Sequence, residues 1–355
     1  PPETFQIRTK KKHENHFSTV SSATPPSSNT STTPNITSFD CRIAANDITS
    51  RANYVYSLFA SLGFVAGCFL LYSFVQTYRA QRRLTWLNFL LWAFCGFHLL
   101  LLLLSLHAVA YRPAYLQTSG LGCAALSFFI NTVSLCSLLL LVLMAYTLTL
   151  DPPSHMLLRK PAVCVALVIL TSVLVCLLLA GLRGPNDGLQ KEGPCFMDPV
   201  SSGVSYAAAR LCLVFLIPYI LQLGLLICGC VRQCKSKGRF LSGSEEGPMF
   251  LTVTSAVFFC QLFYSVALLR GAELQSANLS YHKQAFLSVA EFVLFSGSSV
   301  SLLLVLLMHR PCRENLRGAF RQLRDCCRRP GRTQPHRNII APHIEITDTL
   351  QDIES

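Results

Sequence analysis

Residues 86–111 read WLNFLLWAFCGFHLLLLLLSLHAVAY and contain no Asp, Glu, Lys or Arg. A hydrocarbon core of ~30 Å needs about 20 apolar helical residues to cross it. Inside that core every backbone amide must be satisfied within its own helix, so the run is predicted to be a transmembrane helix. Six further apolar runs, with Arg210 and Glu291 their only charged residues, lie at 54–78, 121–150, 161–182, 204–231, 249–269 and 285–308. The expected fold is an all-α membrane protein, a seven-transmembrane helix bundle with the two chain ends on opposite faces.

Composition agrees with this expectation. Of 355 residues, 51% are hydrophobic and only 14% are charged, against about 25% charged in soluble chains. The deficit is concentrated in the seven runs, and no connection is long enough to form a second domain. Residues 1–50 are rich in Ser, Thr, Pro and Asn, and are expected to be a disordered outer tail. The transmembrane domain is expected over 51–310, a juxtamembrane amphipathic helix over 311–327, and a disordered cytoplasmic tail over 328–355.

The net charge of +12 is not spread evenly. Arg79, Arg82 and Arg83, then Arg159 and Lys160, then Arg232, Lys235, Lys237 and Arg239, then Arg310, Arg313, Arg317, Arg321 and Arg324 all fall on one side. The opposite connections hold fewer cations, diluted by Asp187, Glu192, Asp198 and Glu273. Short connections rich in Lys and Arg stay cytoplasmic, so the N-terminus is expected outside and the C-terminus inside a plasma membrane. The basic face suits anionic lipid headgroups or an acidic cytosolic partner, not nucleic acid. Arg8, Lys10, Lys11 and Lys12 run against the rule, which does not govern long tails. The sequons at Asn29, Asn35 and Asn278 fall on the predicted outer side, as glycosylation requires.

Most of the sixteen cysteines lie inside spans, where a thiol is a small apolar filler. Cys41, Cys123 and Cys195 lie on the outer, oxidising side. No Cys or His spacing matches a zinc site. The spans offer too few converging ligands for metal chemistry, so no metal, no cofactor and no enzyme activity are expected. Beyond Met308 comes PCRENLRGAFRQLRDCC (311–327). Pro311 suits a first helical turn. Leu316, Phe320 and Leu323 share one face, with Arg313, Arg317, Arg321 and Arg324 around it. This is a basic amphipathic helix suited to lie in a membrane surface, and Cys326 and Cys327 at its end are placed for palmitoylation.

Taken together, residues 50–327 resemble a rhodopsin-like (class A) G protein-coupled receptor. Thr85-Trp-Leu-Asn-Phe-Leu-Leu resembles the start of that family's second helix. Phe-Leu-Ile-Pro218-Tyr resembles its fifth-helix proline segment, and Leu316-Arg-Gly-Ala-Phe320 its eighth helix. The resemblance implies a disulfide between Cys123 and Cys195, with Cys41 left unpaired or competing. It also implies partners: an extracellular ligand, and a heterotrimeric G protein or arrestin. Several family motifs are altered. His98 stands where an aspartate holds sodium, and Thr147-Leu148-Thr149 stands for Asp-Arg-Tyr. The fourth helix lacks its Trp. Cys260-Gln261-Leu262-Phe263 stands for Cys-Trp-x-Pro, and apolar residues around Val305 to His309 stand for Asn-Pro-x-x-Tyr. The resemblance is to a divergent, orphan-type member with degenerate activation motifs.

Ionisable residues within spans are costly and mark functional sites by default. Arg210, Glu291, Asn131 and His107 form the candidate ligand-binding set in the outer half. The guanidinium fork of Arg210 suits a carboxylate or phosphate. The same residue could instead pair internally with Glu291 or snorkel to the interface. Asn131 has no acidic neighbour, which argues against a small amine and leaves an anionic or lipid-like ligand. His98 is expected to be a hydrogen-bonded structural residue, and Gln261 to bond between helices. The function expected is a cell-surface receptor. The alternative is a non-coupling, receptor-shaped scavenger, decoy or trafficking partner. A transporter is a weaker reading, since internal repeats are not visible.

Overall fold

The computed structural model describes residues 35–82, 85–110, 120–149, 160–182, 197–198, 203–235, 246–273 and 280–328. They are helical almost throughout, with no strand among the described residues. The helices are α1 Asn35–Gln81, α2 Trp86–Ala110, α3 Gly120–Thr149, α4 Pro161–Leu182 and α5 Gly203–Arg210. A π-helical turn, Leu211–Leu216, runs into α6 Ile217–Lys235, and α7 Gly247–Glu273, α8 Ser280–Met308 and α9 Arg310–Arg328 complete the order. Seven of these segments are long and apolar enough to cross a membrane, with α5, the π turn and α6 acting as one span. The chain divides into two units, Pro1–Asp40 and Cys41–Ser355, and all seven spans lie within the second.

Local chemistry explains the ends. Arg82 takes a left-handed φ of 53°, and its N–H closes on the Tyr78 carbonyl at 2.8 Å, ending α1. Thr85 caps α2 by accepting the Asn88 N–H on its hydroxyl at 3.3 Å. Pro161 opens α4 and Pro311 sits in the first turn of α9, where their missing N–H groups cost nothing. Pro218 comes just after the π turn, and the preceding Ile217 N–H reaches back five residues to the Cys212 carbonyl. The wider turn absorbs the donor that proline lacks.

One expected boundary moves. α1 begins at Asn35 and is 47 residues long, so 35–50, expected within the disordered tail, is helical. No Gly or Pro occurs from 35 to 62, and Asp47 pairs with Arg51 one turn on at 2.9 Å.

α3 is the enclosed centre of the bundle, with 72% of its most apolar window buried against 22% for the fifth span. The apolar side chains of the bundle divide into two clusters. One, toward the α9 end, gathers Phe74, Leu90, Phe94, Leu141, Met144 and Val305. The other gathers Tyr56, Leu102, Ile130, Tyr264, Phe292 and Phe295. α4 and α6 turn Leu170, Leu174, Leu178, Ile220 and Leu223 outward, as helices facing lipid do. α1 touches α8 through Gly63, where a Cβ would fall 2.5 Å from the Ser299 hydroxyl.

The corner between α8 and α9 is built on His309. Its ring lies 5.4 Å from that of Phe74, and its Nδ1 meets the Cys312 sulfur at 3.2 Å. Asn315 donates to the Ser73 hydroxyl at 2.7 Å, tying α9 to α1. Burial lowers the His309 pKa from 6.5 to about 4. Between those values the unfolded chain binds a proton that the folded chain excludes, so stability falls as pH drops through the window. The melting temperature of the solubilised protein should therefore fall more steeply between pH 6.5 and about 4 than that of His309→Asn. Parallel slopes would reject this reading of the corner.

Candidate functional site

The polar centre of the bundle lies in its outer half, in the orientation expected from the basic connections. It is assembled from α3, α5, α7 and α8 around two residues of the second outer connection, Met197 and Asp198. Ser127 and Asn131 are one turn apart on α3, and Tyr206 and Arg210 are one turn apart on α5, so each pair shares a face. Tyr264 reaches in from α7 and Glu291 from α8.

Asp198 is fully buried, paired with Arg210 and accepting hydrogen bonds from three further groups. Arg210 Nε lies 2.9 Å from Oδ2, with the two side chains 1% and 0% exposed. The Tyr264 hydroxyl donates to the same oxygen at 2.8 Å. The Tyr206 hydroxyl and, at 3.3 Å, Asn131 Nδ2 donate to Oδ1. Arg210 also donates to Asn131 Oδ1 at 3.1 Å, and its guanidinium carbon sits 4.6 Å from the centre of the Tyr264 ring. Met197 is fixed by its backbone: its N–H donates to Glu291 Oε1 at 3.1 Å, and its carbonyl accepts from the Ser127 hydroxyl. An ion pair taken out of water is tolerated only when the remaining lone pairs and protons are also satisfied. The tyrosines and the asparagine satisfy the Asp198 oxygens, while Arg210 Nε faces the carboxylate as an ion pair without an aligned hydrogen bond.

Three of the four candidate ligand residues therefore converge, and all three hold the chain itself. Arg210 neither pairs with Glu291 nor snorkels: its counter-ion is Asp198. Glu291 holds the Met197 amide, and Asn131 bridges the two charges. His107 lies in α2, and its side chain is outside what the structure describes. Sequence reasoning counted Asp198 only as charge in a connection, and it passed over Ser127, Tyr206 and Tyr264. A signal was available: Ser127 and Asn131 continue the face of α3 that starts at Cys123, and Asp198 stands three residues after Cys195.

The other polar residues act between helices. Gln261 donates to the Ser134 hydroxyl at 2.9 Å, linking α7 to α3 as expected, and Gln222 donates to the Thr254 hydroxyl at 3.1 Å. His98 corrects its expectation. Its ring packs 4.2 Å from that of Phe94, and neither nitrogen bonds to a described residue.

Cys123 is disulfide-bonded, and the side chains of both outer candidates, Cys41 and Cys195, are outside what the structure describes. Cys195, Asn29 and Asn278 lie outside them, as does the Cys326 side chain, while Asn35 is the first residue of α1. Cys327 is an exposed free thiol. A small apolar hollow at the end of the bundle opposite Asp198 is lined by Leu91, Phe94, Leu141, Met144, Met249 and Val253. No group of three or more His, Cys, Asp or Glu is placed to hold a metal among the described residues. No protein-family model matches the sequence, and no curated protein is significantly similar to it.

Proposed function

We propose that this chain is a cell-surface, receptor-like protein of divergent rhodopsin type, with its N-terminus outside and its C-terminus in the cytosol. Its outer site is filled by its own second connection. The observation that carries the reading is the Asp198 carboxylate buried against Arg210, Tyr206, Tyr264 and Asn131. Asp198 acts as an internal ligand that joins α3, α5 and α7, the elements whose relative positions a receptor must change. An external ligand would act by shifting the balance between the seated and released connection. It must therefore bind the released state strongly enough to outweigh the seated contacts. The Met197 contacts with Ser127 and Glu291 bring the connection beside the outer end of α3. That supports Cys195 as the disulfide partner of Cys123. Glycosylation of the outer tail, palmitoylation at Cys326 and Cys327, and contact of α9 with anionic lipid belong to the same reading.

The test is a G protein recruitment assay on surface-delivered protein without added ligand, comparing wild type with Asp198→Asn. Asparagine keeps the shape and removes the charge. A severalfold change in basal recruitment supports an internal ligand coupled to the inner face. Equal, non-zero recruitment overturns it. Absence of recruitment in both selects the non-coupling scavenger or trafficking reading, which the missing arginine at Thr147-Leu148-Thr149 favours.

A further inference from the structure

The described thiols sort by position. Cys95, Cys136, Cys164, Cys176 and Cys312 are buried within the bundle. Cys68 and Cys212 are exposed but lie deep within their spans. Cys228 and Cys230 differ from both groups: they are exposed, and they sit at the inner end of α6.

Their direction is set by the residue between them. Gly229 is pressed onto the last residue of α3, where a Cβ would fall 2.6 Å from Thr149 Cβ. A helix turns about 100° per residue, so the neighbours of an inward-facing residue point out to either side. Their depth is set by Arg232, the first cation of the run Arg232, Lys235, Lys237 and Arg239. At about 1.5 Å per residue, the two thiols lie roughly 6 Å and 3 Å on the membrane side of it. That is the level of the headgroup boundary, where a thioester carbonyl meets water and a fatty chain enters the leaflet.

We propose that Cys228 and Cys230 are S-acylation sites for long-chain fatty acids, additional to the pair on α9. Each thiolate attacks the carbonyl of a long-chain acyl-coenzyme A. The new sulfur–carbon bond forms as the bond to coenzyme A breaks, and the displaced thiolate takes up the proton, with no redox change. A juxtamembrane cysteine beside a basic run is the setting in which such modification occurs. The chains would anchor the inner end of the fifth span beside its Gly229–Thr149 contact with α3. The proposal rests on the orientation given above.

Acyl-PEG exchange on cell membranes tests it, because each hydroxylamine-released thiol adds one mass increment. In a Cys234→Ser/Cys326→Ser/Cys327→Ser background, hydroxylamine-dependent increments should persist. They should be lost when Cys228→Ser and Cys230→Ser are added. A background without increments, or increments unchanged by the added substitutions, would overturn the assignment. Cys228→Ala and Cys230→Ala serve if the serine form is not delivered. Protease protection of a C-terminal tag in the same membranes reads the orientation separately.

Discussion

Asp198→Ala should lower the stability of the solubilised protein by about 3–5 kcal/mol, because it strands a charged Arg210 in the bundle. Arg210→Met should cost a similar amount by stranding the carboxylate. The double replacement Asp198→Leu/Arg210→Met should cost clearly less than the sum, since an apolar pair of similar size commonly replaces a buried ion pair at little cost. Thermal melts of the four proteins give the coupling energy. Additive losses would mean that the 2.9 Å contact contributes nothing as a pair. Exposed pairs supply the contrast: Arg270 and Glu273, 3.3 Å apart with side chains 72% and 47% exposed, should be separable at a cost of under ~1 kcal/mol. The difference lies in solvent, which screens one pair and is excluded from the other.

Gly63→Val should be the second large effect. The added Cβ alone would lie 2.5 Å from Ser299 Oγ and 2.7 Å from Ser299 Cα. A rotamer change relieves the first clash and not the second, so α1 must move away from α8. Overpacking a well-filled site typically costs about 1–3 kcal/mol, and a backbone collision belongs at or above the top of that range. Gly96→Ala is the control. Nothing lies within 4 Å of its would-be Cβ, so the gain in helix propensity, up to about 1 kcal/mol, should leave stability unchanged or improved. Both variants are read by melting temperature and surface delivery. A Gly63 variant as stable as wild type would show that α1 does not need this close approach.

The two effects differ in how far the sequence announces them. Every predicted span matches a helix in place, because a run such as 86–111 has one low-energy state in lipid regardless of its neighbours. Pro218, Thr85 and Pro311 act within a turn of themselves, so their caps and the π turn are local consequences. Gln261 is legible as an interhelical donor because an amide in a span has few other uses. Its acceptor, Ser134, is 127 residues away and is not legible in the same way. Gly63 carries no signal at all, since a close-approach glycine and an unhindered glycine such as Gly96 read alike.

The amino-acid order alone therefore determined the seven crossings, the amphipathic α9 and the need of Arg210 for a partner. Hydrophobicity and turn chemistry act over a few residues and require no knowledge of the rest of the chain. Tertiary structure alone decided that the partner is Asp198 rather than Glu291 or an external anion. That outcome depends on where four helices and a returning connection meet, and a buried charge takes whichever opposite charge the packing brings into reach.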